Sequence, residues 1–146
     1  MKNVLILLLI LSSILSCRQE LENYDELVND ASLVHDYMTK FSDVIVHDIF
    51  SPPQASRNYV YPSIAGYEAI IHGSDELESF EGRLDGLANL PQPDTSLEIS
   101  FPLASIHAFH LVSKAMIFSE DSLNNYHQQL LDELEDKNFP EKVKSA

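Results

Sequence analysis

The chain has 146 residues, of which 23 are acidic and nine are Lys or Arg, so its formal net charge is −14. A surface of this charge repels nucleic acid and anionic lipid headgroups, so we expect no nucleic-acid partner and no basic membrane-binding patch. The length is enough for one domain at most. The single cysteine excludes an intrachain disulfide.

Residues 1–16 have the features of a secretory leader. Lys2 supplies a positive n-region, and the apolar run that follows is too short to span a bilayer. The run ends in Ile14-Leu15-Ser16-Cys17, which resembles the lipobox of bacterial lipoprotein signal peptides. That resemblance implies that the Cys17 thiol receives the lipid, and it favours this role over that of a buried small hydrophobe. Residues 17–26 would then be a polar tether, and acyl chains would anchor the protein to a bacterial membrane in the cell envelope.

Apolar residues at steps of three and four predict a first helix from Leu27 to about Phe50, where Pro52 and Pro53 stop it. Polar residues such as Asp36 and Lys40 fall on its other faces and are predicted to be solvated. The inward face is predicted to consist of Leu27, Ala31, Val34, Met38, Phe41 and Ile45.

The second helix is predicted to begin at Ser51, which suits the N-cap, with Pro52 in the first turn. Pro62 should kink or briefly break the helix near Tyr61, because it removes one hydrogen bond. Gly73 is predicted to be the left-handed C-cap. Small residues and tyrosines alternate along this stretch, which favours close approach of a neighbouring helix.

Residues 74–100 are acidic and interrupted by Gly and Pro, but leucines recur every three or four positions. We therefore predict one or two short helices and then a loop from Pro91 to Ser96.

The third helix is predicted from Phe101 to Phe118, and it is apolar nearly all round, which indicates burial.

The fourth helix should start at Ser119, with Glu120 and Asp121 at its positive N-terminus, and it should end near Asn138 and Pro140. No strand pattern is evident, so residues 27–140 are predicted to form an all-α helical bundle. The inward stripe of the fourth helix is predicted to be Leu123, Tyr126, Leu130 and Leu134.

Two histidines on the third helix are the candidate metal ligands. His107 and His110 lie three residues apart and share a face, and two imidazoles at this spacing could bind zinc or iron. No third ligand accompanies them in sequence, and the alternative is a partly buried pair bonded to backbone or tyrosine. His35 and His127 are interpreted as surface residues. We predict no catalytic residue, because no phosphate loop, zinc-protease helix or nucleophile elbow is present.

Arg57 is the only Lys or Arg between Ser51 and Ile71, and it stands among apolar residues and tyrosines. A buried guanidinium must be paired, so we predict an internal tie to an acid or to carbonyl groups. The other interpretation is that Arg57 supports an anion site built elsewhere.

The segment Ser-Pro-Pro-x-Ala-Ser-Arg-x-Tyr-x-Tyr-Pro-Ser-Ile-Ala-x-Tyr-Glu-Ala at Ser51–Ala69 resembles the N-terminal helical region of bacterial vanadium-dependent haloperoxidase-like proteins. These belong to the superfamily of type 2 phosphatidic acid phosphatases and acid phosphatases. The resemblance covers about residues 27–140 and implies an all-α bundle that is part of a larger one. It also implies a vanadate or phosphate site in the full-length family, where cations and a histidine grip the oxyanion.

The sequence motifs that bind the oxyanion in that family are absent from this sequence. No arginine precedes a proline, and Pro62-Ser63 continues as Ile64-Ala65 where the family has Gly-His. We therefore expect the N-terminal part of a haloperoxidase- or phosphatase-like lipoprotein that is inactive alone. Residues 141–146 are interpreted as a truncated end, and the missing C-terminal half of the domain as the partner.

The alternative from a different functional class is a complete, small helical surface lipoprotein that binds a partner or a glycan. Exposed tyrosines and the segment 74–100 would then form its contact surface.

Overall fold

The computed structural model describes residues 28–94, 96–97 and 99–136. The predicted leader, the predicted lipidation site Cys17, the predicted tether and the interpreted end at residues 141–146 lie outside the described residues. Within them the fold is helical and contains no strand, which confirms the all-α prediction and is consistent with a partial helical bundle. No described helix is both long enough and apolar enough to cross a membrane. The elements are α1 (Ala31–His47), α2 (Pro52–Ile70), a 3₁₀ turn (Ile71–Gly73), α3 (Phe101–Lys114) and α4 (Glu120–Asp136).

Helix α1 begins after Asp30, whose carboxylate accepts a hydrogen bond from the Ser32 N–H at 2.9 Å. It ends at His47 and not near Phe50, because Ile49 adopts a left-handed conformation with φ of 56°. The predicted inward face is only partly correct, since Ala31 and Val34 are exposed. The side chains that α1 buries are Tyr37, Phe41, Val44 and Ile45.

Helix α2 has Ser51 at its N-cap and proline in its first turn, as predicted, although the Ser51 side chain makes no capping bond. The helix runs through Pro62 without a break, so of the kink or brief break predicted near Tyr61 the break is wrong. Pro62 is fully buried. Tertiary packing of α2 therefore outweighs the hydrogen bond that the proline removes.

Helices α2 and α3 approach closely at Gly66. A Cβ at this position would lie 3.2 Å from the Ser105 carbonyl oxygen and 3.6 Å from the Phe109 Cβ. The buried Asn58 amide donates to the Met116 carbonyl at 3.1 Å and ties α2 to the end of α3. The expectation that small residues on α2 admit a neighbouring helix is therefore confirmed.

Gly73 is not the left-handed C-cap that the sequence suggested. Helix α2 ends at Ile70, and the described glycines with positive φ are Gly82 and Gly86. Gly73 is instead required by close packing, because a Cβ there would lie 2.8 Å from the Phe101 Cδ2.

The described residues between Ser74 and Ser100 form turns and irregular chain, so the prediction of short helices there is wrong. Gly82 and Gly86 take φ of 72° and 80°, conformations that end a helix despite the leucine spacing. This segment lies against α2, since the Tyr67 hydroxyl donates to the Glu78 carbonyl at 3.0 Å.

Helix α3 ends at Lys114, four residues earlier than predicted, and Phe118 is 76% exposed. The helix is not buried all round, because Leu111 is also exposed.

Helix α4 begins at Glu120 with two acidic residues in its first turn, as predicted. The main core lies where α1, α3 and α4 meet and consists of Tyr37, Phe41, Val44, Ile45, Ile106, Phe109, Ile117 and Leu123.

Candidate functional site

A polar cluster of one tyrosine and three histidines, of which all but His107 are buried, joins α1, α3 and α4. The Tyr37 hydroxyl lies 2.8 Å from the His110 Nδ1 and 3.1 Å from the His127 Nδ1. The other ring nitrogen of His127, Nε2, lies 3.1 Å from the His107 Nδ1. The cluster is thus a continuous hydrogen-bonded chain from the exposed His107 to the buried His110.

Local sequence explains how the helices present these side chains. Tyr37 precedes Phe41 by four residues, so both lie on the buried face of α1. His107 and His110 are three apart on α3, and their ring centroids are 6.3 Å apart. His127 follows the fully buried Leu123 by four residues on α4. Its ring stacks on that of His110, with centroids 4.1 Å apart and planes 4° from parallel.

Burial keeps Tyr37, His110 and His127 in their neutral forms at pH 7. Desolvation, with smaller contributions from Lys114 and His107, lowers the pKa of His110 to about 4. Desolvation, then the neighbouring histidines and Lys114, lowers the pKa of His127 to about 4. Burial, with a contribution from Tyr126, raises the pKa of the Tyr37 phenol above its usual value. Tyr37, His110 and His127 therefore interact as uncharged donors and acceptors.

The interpretation of His127 as a surface residue is wrong, because its side chain is only 7% exposed. The signal that could have located it is its place on the apolar stripe of α4. Leu123, His127, Leu130 and Leu134 follow steps of four, three and four, which is one helical face. His35 is exposed, as expected.

His110 is hydrogen-bonded to Tyr37, which is the alternative to a metal site that the sequence left open, whereas His107 contacts His127. Residues 28–94, 96–97 and 99–136 contain no group of three or more His, Cys, Asp or Glu side chains placed to hold a metal. The His110 and His127 rings are stacked and nearly parallel. Their Nδ1 atoms both lie within hydrogen-bond distance of the Tyr37 hydroxyl, so the phenol occupies the point on which the two rings converge.

Arg57 is exposed, so the prediction of a buried guanidinium tied inside the protein is wrong. The first half of α2 faces solvent on that side, and its buried polar residue is the neighbouring Asn58. The ion pair found within the described part of the chain joins Arg83 to Glu78.

An open groove of about 1110 Å³ lies between α2, α3 and the segment that follows α2. Glu68, on its wall, accepts hydrogen bonds from the Ser79 hydroxyl at 2.6 Å and the Phe80 N–H at 2.7 Å. This buried carboxylate therefore fixes the segment opposite α2. Apolar side chains dominate the groove and include Val60, Ile64, Leu84, Leu87, Ala104 and Val112.

The groove does not suit an oxyanion such as vanadate or phosphate. The acidic residues that line it are Glu68, Glu81 and Asp85, and no Lys or Arg is among its described lining residues. Anion sites need cations or convergent N–H donors to offset the negative charge. The described lining of this groove therefore offers no cation to the oxyanion that the family resemblance implies.

Comparison with known proteins identifies a solved structure that is similar to this chain. No protein-family model matches the sequence, and no curated protein matches it. A crystal structure of a bacterial vanadium-dependent iodoperoxidase does match, with a TM-score of 0.68 and 38% sequence identity over 72% of this chain. The chain has a haloperoxidase-like fold. It spans 25% of the length of the iodoperoxidase, so the likeness concerns one part of that protein.

Proposed function

We propose that this chain is the N-terminal helical part of a lipoprotein related to vanadium-dependent haloperoxidases and type 2 phosphatidic acid phosphatases, and that it is inactive by itself. The single observation that carries the proposal is the 38% identity to the iodoperoxidase over 72% of the chain. Its helices would form one wall of a larger bundle. Vanadate or phosphate would be bound by residues of the larger domain that lie outside this chain.

The distribution of positive charge supports the inactivity of this part. The Lys and Arg residues in the described ranges are Lys40, Arg57, Arg83 and Lys114, and none of them lines the groove. Arg83 already pairs with Glu78. The 146-residue sequence also lacks the Arg-Pro and Pro-Ser-Gly-His motifs that form the oxyanion site in the family it resembles.

The groove supports the role of a wall. A cavity of about 1110 Å³ is far larger than the voids of a close-packed interior, so it is a place where further structure would pack. Ala65 and Ala69 on α2 face the groove, as do Ala104 and Ala108 on α3. Small residues at such positions allow another helix to approach closely. The partner that we propose is therefore the remaining helical part of the haloperoxidase-like domain.

A chimera tests the proposal. The matched quarter of the iodoperoxidase is replaced by residues 28–136 of this chain, and vanadate-dependent iodide oxidation is measured. We expect the chimera to oxidise iodide and this chain alone to show no activity with added vanadate. Iodide oxidation by this chain alone would refute the proposal, as would a folded chimera that binds vanadate without gaining activity.

A matched pair of substitutions compares the effect of a charge in the groove with the effect of the same charge elsewhere on the surface. Val112 lines the groove, whereas Val46 is 76% exposed on α1 and lies outside it. Val112→Asp should abolish activity of the chimera, because a buried carboxylate would prevent packing into the groove. Val46→Asp should leave the activity unchanged. Equal effects of the two substitutions would argue against a helix packed in the groove.

The lipid anchor is a separate part of the proposal. Incorporation of labelled palmitate into the wild-type protein, and its absence from Cys17→Ser, would support lipidation at Cys17 and a location in the cell envelope. A soluble wild-type product with an intact leader would contradict it.

The alternative function is that of a complete small surface lipoprotein that binds a protein or a glycan in the same groove. The observation that favours it is the exposure of Tyr61, half of whose surface is accessible at the groove. A cooperative thermal transition of the monomer would support this alternative. A product that aggregates or binds hydrophobic dyes would support the role of a wall, because its apolar groove would lack a cover.

A further inference from the structure

We propose that Tyr37, His107, His110 and His127 form an acid-sensitive clasp, which holds α4 against α1 and α3 while His110 and His127 are neutral and opens when both are protonated. The geometry that carries this inference is the hydrogen-bonded chain through a single phenolic oxygen. Tyr37 lies on α1, His107 and His110 lie on α3, and His127 lies on α4. These contacts are the polar connection between all three helices at the centre of the core.

In the neutral state the clasp satisfies every one of its hydrogen bonds. The phenol has one proton, so it can donate to one Nδ1 while it accepts from the other. Each neutral imidazole has one N–H and one lone pair. The bonds can therefore run from His107 through His127 and Tyr37 to His110, or in the opposite direction. Beyond the chain, the His110 side chain is hydrogen-bonded to Asn124 on α4.

The clasp can accept one proton but not two. If either His110 or His127 is protonated, its Nδ1–H donates to the Tyr37 oxygen and the phenol donates to the other imidazole. If both are protonated, the Nδ1–H groups of His110 and His127 both point at the Tyr37 oxygen. Neither imidazole can then accept the proton of the Tyr37 hydroxyl. Two cationic rings would then also be stacked with centroids 4.1 Å apart. Double protonation therefore requires the helices to separate.

The charged groups near the clasp oppose protonation. On α3, Lys114 lowers the pKa of both His110 and His127, and His107 does the same. On α4, Tyr126 packs edge-on against the Tyr37 ring, with centroids 5.4 Å apart. The carboxylates in this region, Asp36 on α1 and Glu133 on α4, act on Tyr126. The charge that faces the two imidazoles is thus positive.

These shifts define the pH range over which the clasp loses stability before it opens. The pKa of His110 and of His127 falls from 6.5 to about 4 on folding. Between these values the unfolded chain binds protons that the folded chain does not, so stability falls as pH decreases. The folding equilibrium constant should drop about tenfold per pH unit for each histidine, from pH 6.5 to about 4. Above pH 6.5 the clasp contributes no pH dependence.

Two measurements on the full chain test this inference. The first is urea unfolding of wild type and His110→Asn between pH 4 and 7.5. Asparagine retains an acceptor near the Nδ1 position but does not titrate, so the tenfold drop per pH unit from one histidine should disappear. His35→Asn, the same change at an exposed position of α1, is the control and should keep the wild-type slope. An unchanged slope in His110→Asn would overturn the proposal.

The second measurement is made on the wild type, so it decides the question even if the variant does not fold. Nitrogen-15 NMR of the imidazoles should show His110 and His127 neutral down to about pH 4. Below that pH, contacts between the rings of Tyr37 and His127 should be lost together with the native signals of α4. Titration of both histidines near pH 6.5 with the α4 signals intact would refute the clasp.

Discussion

The carboxylate of Asp48 contacts Ser119 through both of its oxygens and so links the end of α1 to the start of α4. Its Oδ1 accepts the Ser119 hydroxyl at 2.5 Å, and its Oδ2 accepts the Ser119 N–H at 3.0 Å. The same Oδ2 accepts the Phe118 N–H at 2.7 Å. These donors lie at the positive end of α4, where a negative charge is stabilising. Asp48 therefore serves as a cap supplied by a distant helix.

Replacing Asp48 with asparagine should reduce the free energy of unfolding by about 1–2 kcal/mol, because the amide removes the charge and one acceptor. Urea unfolding at pH 7 measures the loss. Asp43→Asn, at an exposed position of α1, is the control and should change stability by less than about 0.5 kcal/mol. Equal stabilities of Asp48→Asn and wild type would show that the cap carries little energy.

The contribution of Asp48 should depend on pH in a range of its own. Desolvation by itself would raise the pKa of Asp48, but the hydrogen bonds from Ser119 and Phe118 outweigh it and lower the pKa below 3.8. The contribution is therefore complete above pH 3.8 and is lost as pH falls through the folded pKa. The stability difference between wild type and Asp48→Asn should thus shrink only below pH 3.8, whereas the histidine clasp acts from pH 6.5 to about 4. A difference that already shrinks at pH 5 would contradict this assignment.

Local patterns predicted the helices well, because burial and capping act over a few residues. Spacing correctly identified Phe41, Ile45, Leu123 and Leu134 as buried positions. The same argument failed between residues 74 and 100, where leucines occur at helical spacing but the backbone follows its glycines. It also placed Val34 inside although 44% of that side chain is exposed, since helical spacing does not say where the partner helix ends.

The polar site could not be predicted in the same way, because its contacts join distant parts of the chain. Tyr37 lies 73 residues from His110 and 90 from His127. The sequence left open a histidine bonded to a tyrosine, which His110 and Tyr37 confirm, but nothing in the local sequence indicates which tyrosine it is. A buried polar group can be recognised from its place on an apolar stripe, as at His127, but its partner cannot. Arg57 shows the converse error, since apolar neighbours in sequence did not place its side chain inside.

Glu68 should be essential for holding the segment after α2. Glu68→Gln would leave one of the two donors, the Ser79 hydroxyl or the Phe80 N–H, facing an amide NH₂ group. We expect a loss of about 1–3 kcal/mol in the free energy of unfolding, as for other buried groups left without a partner. Hydrogen exchange at the Phe80 amide should also accelerate. Glu76→Gln, at an exposed position, is the control, and unchanged exchange at Phe80 in Glu68→Gln would contradict the prediction.

Gly66 should resist replacement by alanine even though alanine favours helices. The helical preference alone would stabilise by about 1 kcal/mol. The added Cβ, however, would lie 3.2 Å from the Ser105 carbonyl oxygen, which belongs to the backbone of α3 and cannot move without shifting the helix. We expect a net loss of about 1–2 kcal/mol, as for other overpacked sites. Thermal unfolding of Gly66→Ala measures this loss, with Ser63→Ala on the exposed side of α2 as the control. A more stable Gly66→Ala would show that the two helices can separate slightly at little cost.

Ile49 is the position where a substitution should stabilise the protein. It adopts φ of 56°, which is unfavourable for a β-branched residue, and 87% of its side chain is exposed. Asparagine tolerates this conformation and would lose almost no buried apolar surface. Ile49→Asn should therefore raise the free energy of unfolding by about 0.5–1 kcal/mol, measured by urea unfolding at pH 7.

Val46→Asn is the matched control, because Val46 is also exposed but lies within α1. That control should be neutral or slightly destabilising, since asparagine is a poor helix former. A loss of stability in Ile49→Asn would show that the isoleucine makes contacts that its exposure does not reveal.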